Sequence, residues 1–238
     1  MSYRFYCEEP IRYETAGGTI AQLSDSEAHH FLHVMRGGVG DRVTLFDGSG
    51  YDFEAEVTQT TRRDVTLAVL SQFEVDREPT VAVTLGVALP KGDRQKVLVD
   101  MLTQLGVSRL VPLATEHSVA APKGSGLDKL RRSVIEASKQ CGRNRLMAID
   151  EPMGLDEFLA TTQADVRLVA HPTGGATAIE KARKSVAIAI GPEGGFADAE
   201  VAAAAAAGWT AVSFGKSILR IETAAIAAAS LFTTATRN

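Results

Sequence analysis

The run Ile190-Gly191-Pro192-Glu193-Gly194-Gly195-Phe196 holds one carboxylate in a turn with three glycines and a proline. Glycines let backbone come close to a ligand, and proline stiffens the turn. A plain strand-to-helix turn needs only two glycines, so this density favours a small-molecule site. The run matches neither the phosphate-cradling Walker loop nor the G-x-G-x-x-G fingerprint, which argues against nucleoside triphosphates and NAD. A second run, Gly215-Lys216-Ser217-Ile218-Leu219-Arg220-Ile221-Glu222-Thr223-Ala224, pairs a cation with an acid beside another turn. Arg220 and Glu222 could orient a polar substrate there, or simply pair on the surface. A third, Glu136-Ala137-Ser138-Lys139-Gln140-Cys141-Gly142-Arg143, offers Gln140 and Arg143 to a nucleic acid or a partner subunit. Cys141 has no activating base nearby in sequence and reads as a small packed hydrophobe. His29, His30 and His33 invite a metal reading, but no third and fourth ligand stands at a recognisable spacing. A base-stacking or phosphate-contacting role suits them better, with a packed helix surface as the plain alternative.

Both of the first two runs must be carried by strand ends. Val186 to Ile190 and Thr210 to Phe214 are short apolar stretches immediately ahead of them, and in open α/β sheets ligands sit beyond the carboxyl ends of strands. Val81 to Ala88, Arg109 to Leu113 and Val166 to Ala170 read as further buried strands. Helices are expected over Asp93 to Leu105, closed by Gly106, then Leu127 to Gln140, Asp156 to Ala160, Glu200 to Ala207 and Thr223 to Thr234. Alternating strands and helices predict a parallel α/β domain. The first seventy or so residues follow another grammar. Tyr3 to Tyr6, Thr19 to Leu23, Arg42 to Phe46, Tyr51 to Thr58 and Asp64 to Leu70 are β-rich runs separated by turns such as Ala16-Gly17-Gly18 and Asp47-Gly48-Ser49-Gly50. One helix, capped by Ser24 or Asp25, runs to about Met35. A small barrel with one helix fits this rhythm. The charged stretch Phe73 to Pro79 reads as the linker, so the expected domains are 1–72 and 73–238.

The 238 residues are 45% apolar and 23% charged, ordinary for a folded chain with a sizeable core. Net charge is −4, which does not announce a nucleic-acid binder. Between Lys123 and Arg145, however, seven basic residues face only Asp128 and Glu136. Such a segment can neutralise phosphates or form a solvated helix face. Cys7 and Cys141 have neither the count nor the spacing of a disulfide framework or zinc site. Met1 to Pro10 lack the apolar core of a secretory leader, and Thr223 to Ala235 is too short to span a bilayer. The expected address is cytoplasmic, with neither membrane nor metal involved.

In order along the chain, Arg4-Phe5, His29-His30 through Val34-Met35-Arg36, Lys91-Gly92-Asp93-Arg94, Leu105-Gly106-Val107, Gln140-Cys141-Gly142-Arg143, Gly191 to Phe196 and Ile218 to Ala224 form a joint pattern. This pattern resembles the 16S ribosomal RNA uridine-N3 methyltransferase family of the trefoil-knotted SPOUT superfamily. The resemblance implies a PUA-like β-barrel for RNA, followed by a C-terminal SPOUT α/β trefoil-knot domain working as a homodimer. It implies S-adenosylmethionine as cofactor, held by Val169-Ala170-His171-Pro172, by Ile190-Gly191-Pro192-Glu193-Gly194-Gly195, and by Ser213-Phe214-Gly215 with Ile218 and Leu219. It implies 16S rRNA as partner, within the 30S subunit, with Arg4, His30, Arg36, Lys91, Arg94 and Arg143 as RNA contacts.

Methylating N3 of uridine requires loss of the imide proton and stabilisation of the charge left on the base. Under the resemblance, Arg220 takes the charge-stabilising role, and Glu193 and Glu222 compete as proton acceptor or donor-orienting group. This chain departs from the family pattern at Gln104 and Lys139, each where Glu is common. It departs again at Ala197, where loss of a hydroxyl removes half a capping box, worth about 1 kcal/mol. Transfer to another base or to a ribose 2′-hydroxyl, and a non-catalytic ribosome-assembly factor, are the competing readings.

Overall fold

The computed structural model describes residues 3–15, 18–23, 25–118, 122–176 and 184–234. Ser24, Ala16, Gly17 and Ala235, which figure in the sequence reading, lie outside them. The chain divides into two compact units, one of Met1–Glu78 with Ser138–Leu146 and the other of Pro79–Ala137 with Met147–Asn238.

The first unit is built on a five-stranded sheet of β1 (Arg4–Tyr6), β2 (Ile20–Leu23), β3 (Arg42–Phe46), β4 (Tyr51–Thr60) and β5 (Val65–Glu74), in the order β1-β3-β4-β5-β2. β1 joins β3 in parallel and the other neighbours are antiparallel. Alternate residues of a strand share a face, so Val65, Leu67 and Val69 meet Ala55, Val57, Phe5, Leu45 and Phe31 in one core. The β4–β5 pairing continues to Tyr51↔Glu74, so Phe73 and Glu74 belong to a strand and not to the linker the sequence suggested. The helix expected up to Met35 is also different. It starts as α1 (Asp25–His29) and widens into a π-helical turn over His30–Val34, with the Met35 amide donating to the His30 carbonyl at 3.0 Å. Phe31 is buried there against Gly37, where a Cβ would sit 2.2 Å from the ring.

Buried ion pairs tie this unit together. Lys139 reaches Glu27 at 2.7 Å, and Arg4 reaches Asp52 at 2.7 Å with Arg77 adding a second cation at 3.2 Å. Burial alone would raise the Asp52 carboxyl, but the hydrogen bond and charge of Arg4, with Arg77, hold it below its usual value. Cys7 is buried, and desolvation, reinforced by the charges of Asp47 and Glu27, pushes its thiol up to about 12. At about pH 8 a thiol reagent is therefore expected to label Cys141 quickly, and Cys7 only as fast as the unit unfolds. Equal labelling rates for the two would contradict this.

The second unit carries a seven-stranded sheet whose ladders are all parallel. Its elements are β6 (Ala82–Val87), α2 (Arg94–Gln104), β7 (Arg109–Ala114), α3 (Ser125–Cys141), β8 (Ala148–Ile149), β9 (Met153–Gly154), α4 (Leu155–Thr161), β10 (Val166–Ala176), β11 (Ser185–Ile190), α5 (Asp198–Ala206), β12 (Thr210–Ser213) and α6 (Ile221–Thr233). The order is β12-β10-β11-β6-β7-β8, with β9 also paired to β7. α3 ends among residues grouped with the first unit. Val186 to Ile190 are all buried, as a strand covered on both faces must be. α6 presents Ala224, Ala225, Ala228 and Ala229 as a small-residue face and packs against β6 and β11. α5 lacks a hydroxyl at its N-cap, Ala197, yet keeps the reverse half of the capping box. The Ala197 amide donates to Glu200 Oε2 at 2.8 Å, while Glu200 Oε1 accepts from the Glu116 amide at 2.9 Å. No helix among the described residues is long and apolar enough to cross a membrane.

Candidate active site

β10, β11 and β12 deliver three segments to one cavity of about 340 Å³. It is lined by residues 170–172, 190–196 and 212–219, with Ile221 and Ala224 closing it from α6. The first segment is a bulge. Ala170 and Gly175 both register with Val212, so residues 171–174 loop out between two stretches of the same ladder. That close return needs Gly174, where a Cβ would lie 2.5 Å from the Val212 backbone. The sequence reading ended this strand at Ala170, and Pro172-Thr173-Gly174-Gly175 beyond it has the composition of a turn.

The second segment turns at Pro192, whose carbonyl accepts from the Gly195 amide at 2.9 Å. Gly195 has φ +74°, a conformation that side-chain-bearing residues resist. The His117 ring packs behind this turn, with Nδ1 3.2 Å from the Gly195 carbonyl. Sequence reasoning assigned no role to His117, since a lone histidine carries no spacing signal that would have found it. The third segment is the exposed loop after β12, fixed at its start by Ser213 Oγ donating to the Gly215 carbonyl at 2.7 Å. Every residue expected to hold the cofactor lines this cavity except Val169, which is buried in β10 behind it.

The candidate catalytic residues fall in three places. Glu193 lines the cavity. Arg220 is exposed at the N-cap of α6, and Glu222 sits in the first turn of that helix. Neither Arg220 nor Glu222 is in the lining, but Arg94 connects the two acids. Its Nη2–H donates to Glu193 Oε1 at 3.0 Å, and its Nη1 lies 3.5 Å from Glu222 Oε1. The Glu222 side chain is only 17% exposed, and its Oε2 is buried without a hydrogen-bond partner among the described residues. Sequence reasoning placed Arg94 among RNA contacts and missed this bridge.

The other expected RNA contacts divide sharply. Arg4 makes a two-pronged pair with Asp52 at 2.7 and 3.0 Å and stacks over Phe46. Arg143 is 4% exposed and grips Glu78 through Nε at 2.9 Å and Nη2 at 2.5 Å. Both guanidinium groups are therefore committed to protein carboxylates and not displayed to phosphate, because a buried charge must be paired where it lies. Arg36 and Lys91 are exposed, and His30 is half-buried with its ring edge-to-face on Phe5 at 5.9 Å. The His29 and His33 rings lie 4.8 Å apart, and no group of three metal-ligating side chains forms among the described residues.

Two family models match the chain, an RNA methyltransferase domain over residues 76–233 and an RNA methyltransferase PUA domain over residues 23–70. A relative from Synechocystis, named ribosomal RNA small subunit methyltransferase E, is 30% identical over 94% of this chain and 75% of its own length. The protein of the same name from Mycobacterium bovis is 30% identical over 89% of this chain and 85% of its own. Among solved structures, a Legionella pneumophila methyltransferase with bound SAM superposes with a TM-score of 0.91 at 31% identity, covering 99% of this chain and 98% of that one. A Neisseria gonorrhoeae ribosomal RNA small subunit methyltransferase E bound to S-adenosylmethionine gives 0.88 at 28% identity, covering 98% of each. With a PUA-type segment ahead of a methyltransferase segment and this likeness along nearly its whole length, the chain belongs to the RNA methyltransferase family whose curated members are named ribosomal RNA small subunit methyltransferase E.

Proposed function

We propose that this protein transfers a methyl group from S-adenosylmethionine to N3 of a uridine in 16S ribosomal RNA of the small subunit. The observation that carries the reading is the cavity at the ends of β10, β11 and β12, with a linked pair of acids beside it. Its volume and lining fit a donor that joins an adenosine to an amino acid. Gly191 and Gly194 bring backbone up to the cavity without a side chain in the way, while Ile190, Phe196, Leu219 and Ile221 supply an apolar flank. Val169 supports this site from the core of β10. When bound, S-adenosylmethionine supplies a methyl group activated by a positive sulfonium.

The remaining chemistry falls to the chain's own residues. N3 lies on the pairing edge of uridine, so the base must be presented unpaired. Glu222 Oε2, buried and lacking a partner, is the acceptor proposed for the N3 proton. Arg220 is proposed to stabilise the negative charge left on the base's carbonyl oxygens, for which a guanidinium fork is well shaped. Glu193, held by Arg94, orients the donor through the position of its loop. His30, Arg36 and Lys91 are the proposed RNA contacts, with Arg4 and Arg143 shaping the unit that carries the first two. In this reading residues 1–72 form a PUA-like barrel that presents RNA. Residues 73–238 form the methyltransferase domain with a C-terminal trefoil knot, and the protein acts as a homodimer on 30S subunits in the cytoplasm. The PUA-type and methyltransferase matches support that division.

The decisive test is transfer of labelled methyl to 30S subunits that lack base methylation, followed by nucleoside analysis. N3-methyluridine is the expected product. Label on another base or a ribose would retain the donor site and reject the substrate. No transfer together with no calorimetric donor binding would reject the enzyme and favour an assembly factor.

A further inference from the structure

We propose that Arg94 is a positioning residue that ties together two walls of the donor cavity, an inference that rests on the methyltransferase reading above. Glu193 belongs to the wall that follows β11, and Glu222 follows the wall formed by residues 213–219. These loops are distant in sequence, and Arg94 joins them through one guanidinium, at 3.0 Å to Glu193 and 3.5 Å to Glu222. The topology makes this possible. Arg94 opens α2 just after β6, and β6 lies beside β11 in the sheet, with Val87 in register with Ile190.

Local helix chemistry does not account for an arginine at this position. A cation in the first turn of a helix opposes the helix dipole. The first turn of α2 contains no acid, and the Asp93 side chain makes no cap hydrogen bond. What favours the cation is the pair of remote carboxylates. Glu222 has no other ion pair among the described residues, and it is mostly buried. Removing Arg94 leaves that carboxylate without its cation and frees the 191–196 turn to move away from α6. A planar fork with five N–H donors can serve two carboxylates at once, whereas an ammonium group is a single point charge on a flexible stem. Since Arg94 and Glu193 are both partly exposed, their pair adds little to global stability. The effect belongs to the order of the cavity walls.

The test uses the full-length protein and calorimetric titration with S-adenosylmethionine, alongside thermal unfolding and steady-state methylation of 30S subunits. Arg94→Ala is expected to weaken donor binding about tenfold. Some fall in unfolding midpoint is expected because the mostly buried Glu222 loses its cation, so donor binding is titrated at a temperature where circular dichroism shows the variant fully folded. Arg94→Lys should recover only part of the affinity. Glu193→Gln should add no further loss when combined with Arg94→Ala, because the two act through one contact. Unchanged donor affinity in Arg94→Ala, with or without a raised KM for RNA, would overturn the proposal, as would additive losses in the double variant. A parent protein that binds no donor would overturn both this proposal and the methyltransferase reading. Loss confined to the variants leaves that reading intact and supports the clamp.

Discussion

Glu78→Gln lowers the unfolding free energy of the first unit by about 3–5 kcal/mol, the range found when one partner of a buried ion pair is removed. The substitution keeps nearly the same shape but removes the charge and turns one of the two acceptor oxygens into an N–H donor. Arg143 is 4% exposed, and arginine does not give up its proton in a protein, so the variant keeps a buried cation while removing the charge of the Glu78 group that it grips. Two parallel hydrogen bonds, at 2.9 and 2.5 Å, lose their charged acceptor. Relaxation is limited because the neighbouring residue is sewn into the same unit. Asn144 Nδ2 donates to the carbonyls of Gly50 at 2.9 Å and Val75 at 3.0 Å, and its own carbonyl accepts from the Gly50 amide at 3.1 Å. Urea titration followed by hydrogen exchange at β3 to β5 amides reports this unit directly. Trp209 fluorescence would not, since that indole lies in the second unit with its N–H on the Leu159 carbonyl. A loss below about 1 kcal/mol, typical of exposed pairs, would show that the Arg143–Glu78 pair is dispensable. If Arg143 instead contacts RNA, Arg143→Ala should raise the KM for RNA without altering the urea midpoint.

The same arginine marks the boundary of what the sequence could reveal. The buried strands were legible because hydrophobicity is written locally. Val186 to Ile190 is a continuous apolar run and β11 is buried throughout. The glycine-dense turn after it was legible for the same reason, and the cavity lies there. A charge, by contrast, does not state its partner. Arg143 finds Glu78 across 65 residues and Arg94 finds Glu193 across 99, so the sequence shows each as an isolated basic residue. That is why a cluster of positive charge around residue 143 reads as an RNA face while two of its members, Lys139 and Arg143, are held in buried ion pairs. Backbone irregularity is hidden in a different way. The pattern at 25–35 is helical, but nothing in it distinguishes a π-helical turn at His30–Val34 from ordinary helix. The extension of β10 past Pro172 depends on Val212 accepting the returning strand at Gly174, a contact between distant segments. Lys139 likewise finds Glu27 at 2.7 Å, across 112 residues.

Arg220→Ala is expected to reduce kcat by about 10²–10³, the usual effect of removing one donor to a developing oxyanion, with donor affinity within about twofold of the parent. The local geometry makes this a clean experiment. Arg220 contributes to α6 through its backbone, its carbonyl accepting from the Ala224 amide at 2.8 Å, and alanine keeps that bond. Its neighbour Ile221 is 3% exposed and anchors the start of the helix irrespective of the residue before it. The guanidinium itself is exposed and has no ion pair among the described residues, in contrast to Arg4, Arg94 and Arg143. It also lies outside the cavity lining, so its loss removes no wall of the donor site. An exposed charge with no ion pair among the described residues, set in the chain between the lining residues Leu219 and Ile221, is available to the substrate in a way that a paired one is not. Arg220→Lys should restore part of kcat, since the positive charge returns without the planar fork. Parallel losses in donor affinity and kcat would place Arg220 in donor binding. An unchanged kcat would remove it from the chemistry and leave Glu222 Oε2 as the group on which proton transfer depends.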